Sequence, residues 1–199
     1  SGEIINLSLN DVANSRHELT IYVRAGKTPS AKRAIPLHRL MPPNVLRKVQ
    51  AVVELREIDY RKFMRGKSAS MNLDKARSNF KVFVKSEIDD HKSGQVILSE
   101  TRDTLRSRLG RNADLHLLRH SFASWFFLRW YAAKHPDFIE SLIQKNHWLF
   151  SNDGIEHIKQ FLGVFTPGPI PADHANAMIY FIKLFGHANT ATLFQVYIH

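Results

Sequence analysis

"HLLRHSFASWFF", residues 116–127, sets His116, Arg119 and His120 at the start of an otherwise apolar stretch. One cation at a helix end is ordinary, but a cluster of them inside a core-forming segment needs a partner or a task. The apolar spacing around it predicts one helix from about Leu115 to Lys134, the most apolar in the chain. Such a helix builds a core with most of its surface and presents a cationic end, and the rest of the chain is arranged around it.

Downstream, "HPDFIESLIQKNHWLF" and "NDGIEHIKQFLG" predict two more helices, "TPGPIPADH" an irregular loop, and the remainder a helix over 172–185 and a short one near 190–198. Upstream, "SETRDTLRSRLG" predicts a helix with Ser99 as N-cap, ended by Gly110. A basic helix is expected over 73–88, with Phe80, Phe83 and Val84 as its apolar side, then a break at "HKSG" and a short apolar stretch "QVIL". "PPNVLRKVQAVVELREIDYRKFM" opens with prolines and repeats Val45, Val49, Val52 and Val53 at helical spacing. "ELTIYVRAGKTPSAKRAIPL" reads as two strands, with Ile21 and Val23 on one, Ile35 and Leu37 on the other, and Gly26, Pro29 and Ser30 between. "EIINLSLNDV" reads as the tail of a helix that begins before Ser1. There is no internal repeat. The expected class is mainly α with a small antiparallel β-sheet (α+β).

The 199 residues suffice for one domain, or one domain with an elaboration. A hydrophobic content of 44% and an aromatic content of 11% exclude a disordered chain. The absence of Cys excludes disulfides and thiolate metal sites and fits a reducing cytoplasm. No apolar run reaches spanning length, and "SGEIINLSLNDV" lacks the form of a signal peptide. The net charge of +10 is unevenly placed. Arg24 to Arg111 holds 21 Lys/Arg against 9 Asp/Glu, a net +12, and the remainder holds 7 against 9. A strongly basic segment beside a near-neutral remainder suggests a face for a polyanion, nucleic acid first and an anionic membrane surface second. The plainer alternative is a basic surface that only confers solubility.

Three separated segments combine: "HLLRH" at 116–120; "FGHANTATLFQVYIH" at the C-terminus, where a Gly-His pair precedes Tyr197 by ten residues; and "VRAGKTPSAKRAIPL", which carries a Lys at a hairpin turn. Together they resemble the catalytic domain of the tyrosine recombinases, the phage-integrase family. In that family His-x-x-Arg-His starts a buried helix, Gly-His lies near the end, Tyr follows a helical stretch later, and a hairpin Lys precedes an Arg-x-x-Pro-like strand. The order, residue types and local context agree across most of the chain. "SGEIINLSLNDV" resembles the family's first box, with Glu3 and Asp11 where its acids belong. The box's Arg would fall just before Ser1. The resemblance thus implies a catalytic-domain fragment, 1–199, without that Arg and without the family's N-terminal core-binding domain.

The resemblance implies cutting and rejoining of double-stranded DNA, as in integration or transposon-type strand exchange by a mobile genetic element. The implied location is the cytoplasm, on the nucleoid, and the implied assembly a homo-oligomer, a tetramer on DNA, with no membrane. Tyr197 would attack the scissile phosphate and form a 3′-phosphotyrosine, conserving bond energy, so neither a cofactor nor a metal is implied. Arg119 would hold two phosphate oxygens with its planar fork, and His187 and His116 would add donors. Lys27 would protonate the leaving 5′ oxygen, with Lys32 as the nearby competitor. His120 and Glu3 would support the site. Lys32, Arg33, Arg47, Arg77, Lys81, Arg106 and Arg108 would contact DNA.

Each residue has a plainer reading. His116 is a helix cap or a satisfied core His, Arg119 a partner of Asp114, His187 a helix-start feature, Lys27 an ordinary turn charge and Tyr197 a core aromatic. Two further functions remain open, a DNA-binding relative that has lost catalysis and a type IB-like topoisomerase. The chain also departs from the family pattern. Between His120 and Gly186 lie 65 residues, more than the usual two helices need, so an insertion is expected over about 140–175. His147, His157 and His174 within it lack the i, i+4 spacing of a helical ligand pair. Its acids Asp153, Glu156 and Asp173 argue against direct contact with a DNA backbone. The chain stops two residues after Tyr197, where the family usually continues into a tail that docks on a neighbouring subunit.

Overall fold

The computed structural model describes residues 5–24, 31–65, 72–84, 90–142, 147–162 and 179–186. They are mostly helical, with a small antiparallel sheet, as the sequence predicts. The chain divides into two units. The first is Ser1–Lys27, Ala34–His38 and Pro43–Leu115; the second is Thr28–Arg33, Arg39–Pro42 and His116–His199.

In the first unit Ile5 is helical, in line with the expected helix tail, and a tight turn follows it. The Ser8 N–H and hydroxyl both donate to the Asp11 carboxylate, at 3.0 and 2.7 Å, which closes the 3-10 turn Leu9–Asp11. Strand β1 (Val12–Asn14) follows, too short for its alternation to register in the sequence. It pairs antiparallel with β2 (Leu19–Val23) in the register Val12↔Ile21, Ala13↔Thr20, Asn14↔Leu19. β3 (Arg33–Pro36) completes the order β1-β2-β3 as an outer strand, where a terminal proline is tolerated. Leu37, expected on that strand, instead opens the short helix α1 (Leu37–Leu40).

Helix α2 (Pro43–Arg65) forms where the prolines and apolar spacing place it, but it buries a different face. Leu46, Gln50, Val53 and Tyr60 are buried, whereas Val45 and Val52 are exposed. Gln50 is accommodated because its amide donates to Asn14 Oδ1 at 3.3 Å and to the Ser15 carbonyl at 2.8 Å.

The helix expected over 73–88 stops early, as α3 (Leu73–Asn79). Beyond it the backbone is claimed by a strand-like bridge. Leu9 N–H donates to the Phe80 carbonyl and Val82 N–H to the Leu7 carbonyl, both at 2.9 Å. The Arg56 guanidinium holds the Lys81 carbonyl through Nε at 3.1 Å and Nη2 at 3.0 Å, and lies 4.4 Å from the Phe80 ring centre. Phe80, Phe83 and Val84 are therefore not one side of a helix. "HKSG" and "QVIL" both lie inside a single helix, α4 (Asp90–Leu109), and Ser99 is in its middle rather than at its cap. Gly94 does not break it. A Cβ there would sit 2.6 Å from Ile5 Cβ, so the missing side chain serves the close approach of the two segments.

The second unit is built on α5 (Leu115–Lys134), with the bounds the sequence predicts. Among the described residues, the stretch expected as one helix after it holds α6 (Pro136–Glu140) and a 3-10 turn, Trp148–Phe150. The Ser141 hydroxyl folds back onto the Phe138 carbonyl at 2.7 Å, a local bond that competes with helix continuation. α7 (Asn152–Leu162) follows as expected, and residues 179–185 form α8. "TPGPIPADH", the first part of the helix expected over 172–185 and the final short helix lie outside the described residues. The core of this unit is Ala123, Phe126, Trp130, Ile155, Ile158, Phe181, Leu184 and Phe185.

Candidate active site

α5 and α8 meet through two aromatic pairs, each at i, i+4 spacing. Phe122 and Phe126 on α5 face Phe181 and Phe185 on α8, with ring centres 5.4 Å apart for Phe122–Phe185 and 4.7 Å for Phe126–Phe181. Phe126 and Phe181 are almost wholly buried. Side chains four apart stack on one helical face, so these pairs fix both the contact and its register.

That register delivers Arg119. It lies three residues before Phe122 on α5, and its Nη2 donates to the Phe185 carbonyl at 2.5 Å. The carbonyl belongs to the last turn of α8, whose C=O groups lack intrahelical partners. A guanidinium there is a charge-assisted donor and also answers the negative end of the helix dipole. Gly186 follows with φ of +68°, a left-handed turn that ends α8 as glycine commonly does. The segments "HLLRH" and "FGH", 66 residues apart, are thus joined by one hydrogen bond beside an aromatic core. Arg119 itself is exposed, and the bond uses one of the five donors of its fork.

His116 and His120 sit one turn apart on α5, rings edge to face with centres 4.7 Å apart. His116 is exposed and His120 half-buried. Lys27, His187, Tyr197 and Glu3 lie outside the described residues. Asp11 has a structural partner set: besides Ser8, its carboxylate accepts Arg24 Nε at 3.0 Å.

The residues expected to contact DNA fall into two groups. Lys32, Arg47, Arg106 and Arg108 are exposed. Arg77 and Lys81 have partners within the fold. The Arg77 fork grips the Glu57 carboxylate through both nitrogens and lies 5.7 Å from the Tyr60 ring centre. Lys81 Nζ donates to the Asn6 carbonyl at 3.0 Å. Arg33 is half-buried, with Nη1 on the Ala31 carbonyl at 2.7 Å.

One cation the sequence reading passed over is Arg129. It is buried on α5, three residues after Phe126 on the inward face, which was its signal. Its Nε donates to the Leu149 carbonyl at 3.2 Å and its Nη2 to the Gly154 carbonyl at 2.6 Å, with the Trp148 ring centre 5.3 Å away. Burial pushes its pKa down to about 10, which leaves it charged at neutral pH. Arg129 thereby ties the start of the expected insertion to the helix that carries Arg119.

Within that insertion, His147 Nδ1 accepts the Leu149 N–H at 3.2 Å and caps the 3-10 turn, and His157 lies edge-on to Trp148. His174 lies outside the described residues. Among the described residues no group of three or more His, Asp or Glu is placed to hold a metal ion, and no helix is long and apolar enough to cross a membrane.

No family model, curated protein or solved structure matches the chain. What can be said of function therefore rests on the residues and their geometry.

Proposed function

We propose that the chain is the catalytic part of a DNA strand-exchange enzyme that works through a tyrosyl intermediate. The observation that carries this reading is the hydrogen bond from Arg119 to the Phe185 carbonyl. It sets the cationic start of α5 against the end of α8, from which residues 187–199, with His187 and Tyr197, continue.

A phosphodiester repels nucleophiles and gains charge on its non-bridging oxygens during attack, so fixed donors aimed at those oxygens supply most of the catalysis. A planar guanidinium held at one edge meets that need better than a freely rotating ammonium. In the proposed reaction Tyr197 Oη attacks phosphorus, its proton passes to solvent, and the bond from phosphorus to the 5′ oxygen breaks. Lys27 protonates that oxygen. The 3′-phosphotyrosine keeps the energy of the broken bond, and attack by a second 5′ hydroxyl reverses the steps on a new partner strand. His116 and His187 add donors to the phosphate.

The test is a strand-exchange assay with the longest natural form of the protein and duplexes from the ends of its own DNA element, with no nucleotide and with chelator present. Recombinant strands are the expected product. Duplex binding without exchange would favour a relative that has lost catalysis. Relaxation of any supercoiled plasmid, with no preferred site, would favour a topoisomerase.

A further inference from the structure

The correction to α4 changes what its charges can do. As one continuous helix it aligns Lys92, Gln95, Ser99, Arg102 and Arg106, spaced 3, 4, 3 and 4 residues apart, in a single stripe along its length. All five are exposed. At 1.5 Å per residue the stripe runs about 21 Å. The side away from it carries buried Ser93 and Gly94, the latter against Ile5. Every member of the stripe is a hydrogen-bond donor and three are cations, with the exposed Asp103 as a single acid at its edge. Arg108, which the sequence reading grouped with Arg106, falls on the other side of the helix, since two residues turn it by about 200°.

We infer that this stripe on α4 is a docking surface for the phosphate backbone of duplex DNA. This rests on the reading of the chain as a DNA enzyme and names the element that holds the substrate. A line of donors without an apolar member suits phosphates flanking a groove, which an α-helix fits when B-form. It does not suit a membrane interface, because a helix lying there sets a large apolar face beside its cations. Cations that contact phosphate release counterions, so each one lost lowers the dependence of affinity on salt.

The experiment measures binding of the full chain to a random-sequence duplex by fluorescence anisotropy across a salt series, with anionic lipid vesicles as a second arm. The triple variant Lys92→Gln, Arg102→Gln, Arg106→Gln is compared with Arg108→Gln and with the charge-keeping variant Lys92→Arg, Arg102→Lys, Arg106→Lys, after circular dichroism has shown all to be folded. The expected result is a log–log salt slope shallower by about 2.7 in the triple variant, from 0.9 per phosphate contact, and binding weakened at least tenfold at low salt. Arg108→Gln and the charge-keeping variant retain the wild-type slope. A triple variant with the wild-type slope overturns the stripe and leaves the DNA reading standing. A triple variant that loses only vesicle binding overturns it in favour of a membrane surface. A wild-type protein that binds no duplex at any salt overturns both the stripe and the proposed function.

Discussion

Arg119 and Arg129 sit ten residues apart on α5 and call for opposite behaviour on substitution. Arg119 is exposed and its bond to the Phe185 carbonyl is a single hydrogen bond, so Arg119→Ala is expected to cost no more than about 1–2 kcal/mol of stability in urea unfolding. The same change removes a positioned donor and is expected to slow DNA cleavage by about 10²–10³-fold. Arg119→Lys keeps the charge without the fork and should recover little of that rate. Arg129 holds two carbonyls from inside the core, so Arg129→Ala leaves both without their donor and opens a cavity, at a cost of about 3–5 kcal/mol. Its pH signature follows from burial. The folded pKa of about 10 lies below the unfolded value, so between the two the unfolded chain binds more protons and stability rises with pH. The difference in unfolding free energy between wild type and Arg129→Met should stay flat from about pH 6 to 9 and turn in favour of the wild type above about pH 10.

The α5–α8 pair is where element-scale predictions concentrate. Phe126→Ala and Phe181→Ala are each expected to cost about 3–5 kcal/mol, because each empties a packed aromatic site, and both should lower cleavage by loosening the register that seats Arg119. Gly186→Ala forces an L side chain into a left-handed turn, at about 1–2 kcal/mol, and alters the chain's exit toward His187. These elements also show what a reader of the sequence alone could reach. α5 was legible end to end because a 20-residue apolar helix outweighs local noise. So were α2 and the β2–β3 pair, up to Leu37. The break at "HKSG" and the helix over 73–88 were misread for one reason: each depends on a distant partner. Gly94 stays helical within α4 and leaves room for Ile5, and Leu7–Leu9 pair with Phe80–Val82 outside any helix. Of the candidate site, the cationic start of α5 was legible, whereas the aromatic pairs that join α5 to α8 went unread because they depend on a partner helix about 60 residues away. What the sequence could not reveal is that Arg77 and Lys81 are already occupied, since Glu57 and the Asn6 carbonyl lie 20 and 75 residues away from them.

At the scale of the molecule, the net +12 between Arg24 and Arg111 is spread over both units, since Lys32, Arg33 and Arg39 belong to the second. The first unit, at a net +6, carries the α4 stripe, and the second, at a net +4, carries Arg119, the aromatic core and the segment that includes Tyr197. On the reading proposed here the first supplies a polyanion surface and the second the phosphate chemistry. The most direct test is covalent trapping on nicked duplexes from the ends of the protein's own DNA element, using its longest natural form, denaturing gels and mass spectrometry of the digested adduct. The account predicts a protein–DNA adduct attached at Tyr197, absent in Tyr197→Phe and strongly reduced in Arg119→Ala. Duplex binding with no adduct, or an adduct that survives Tyr197→Phe, would contradict it.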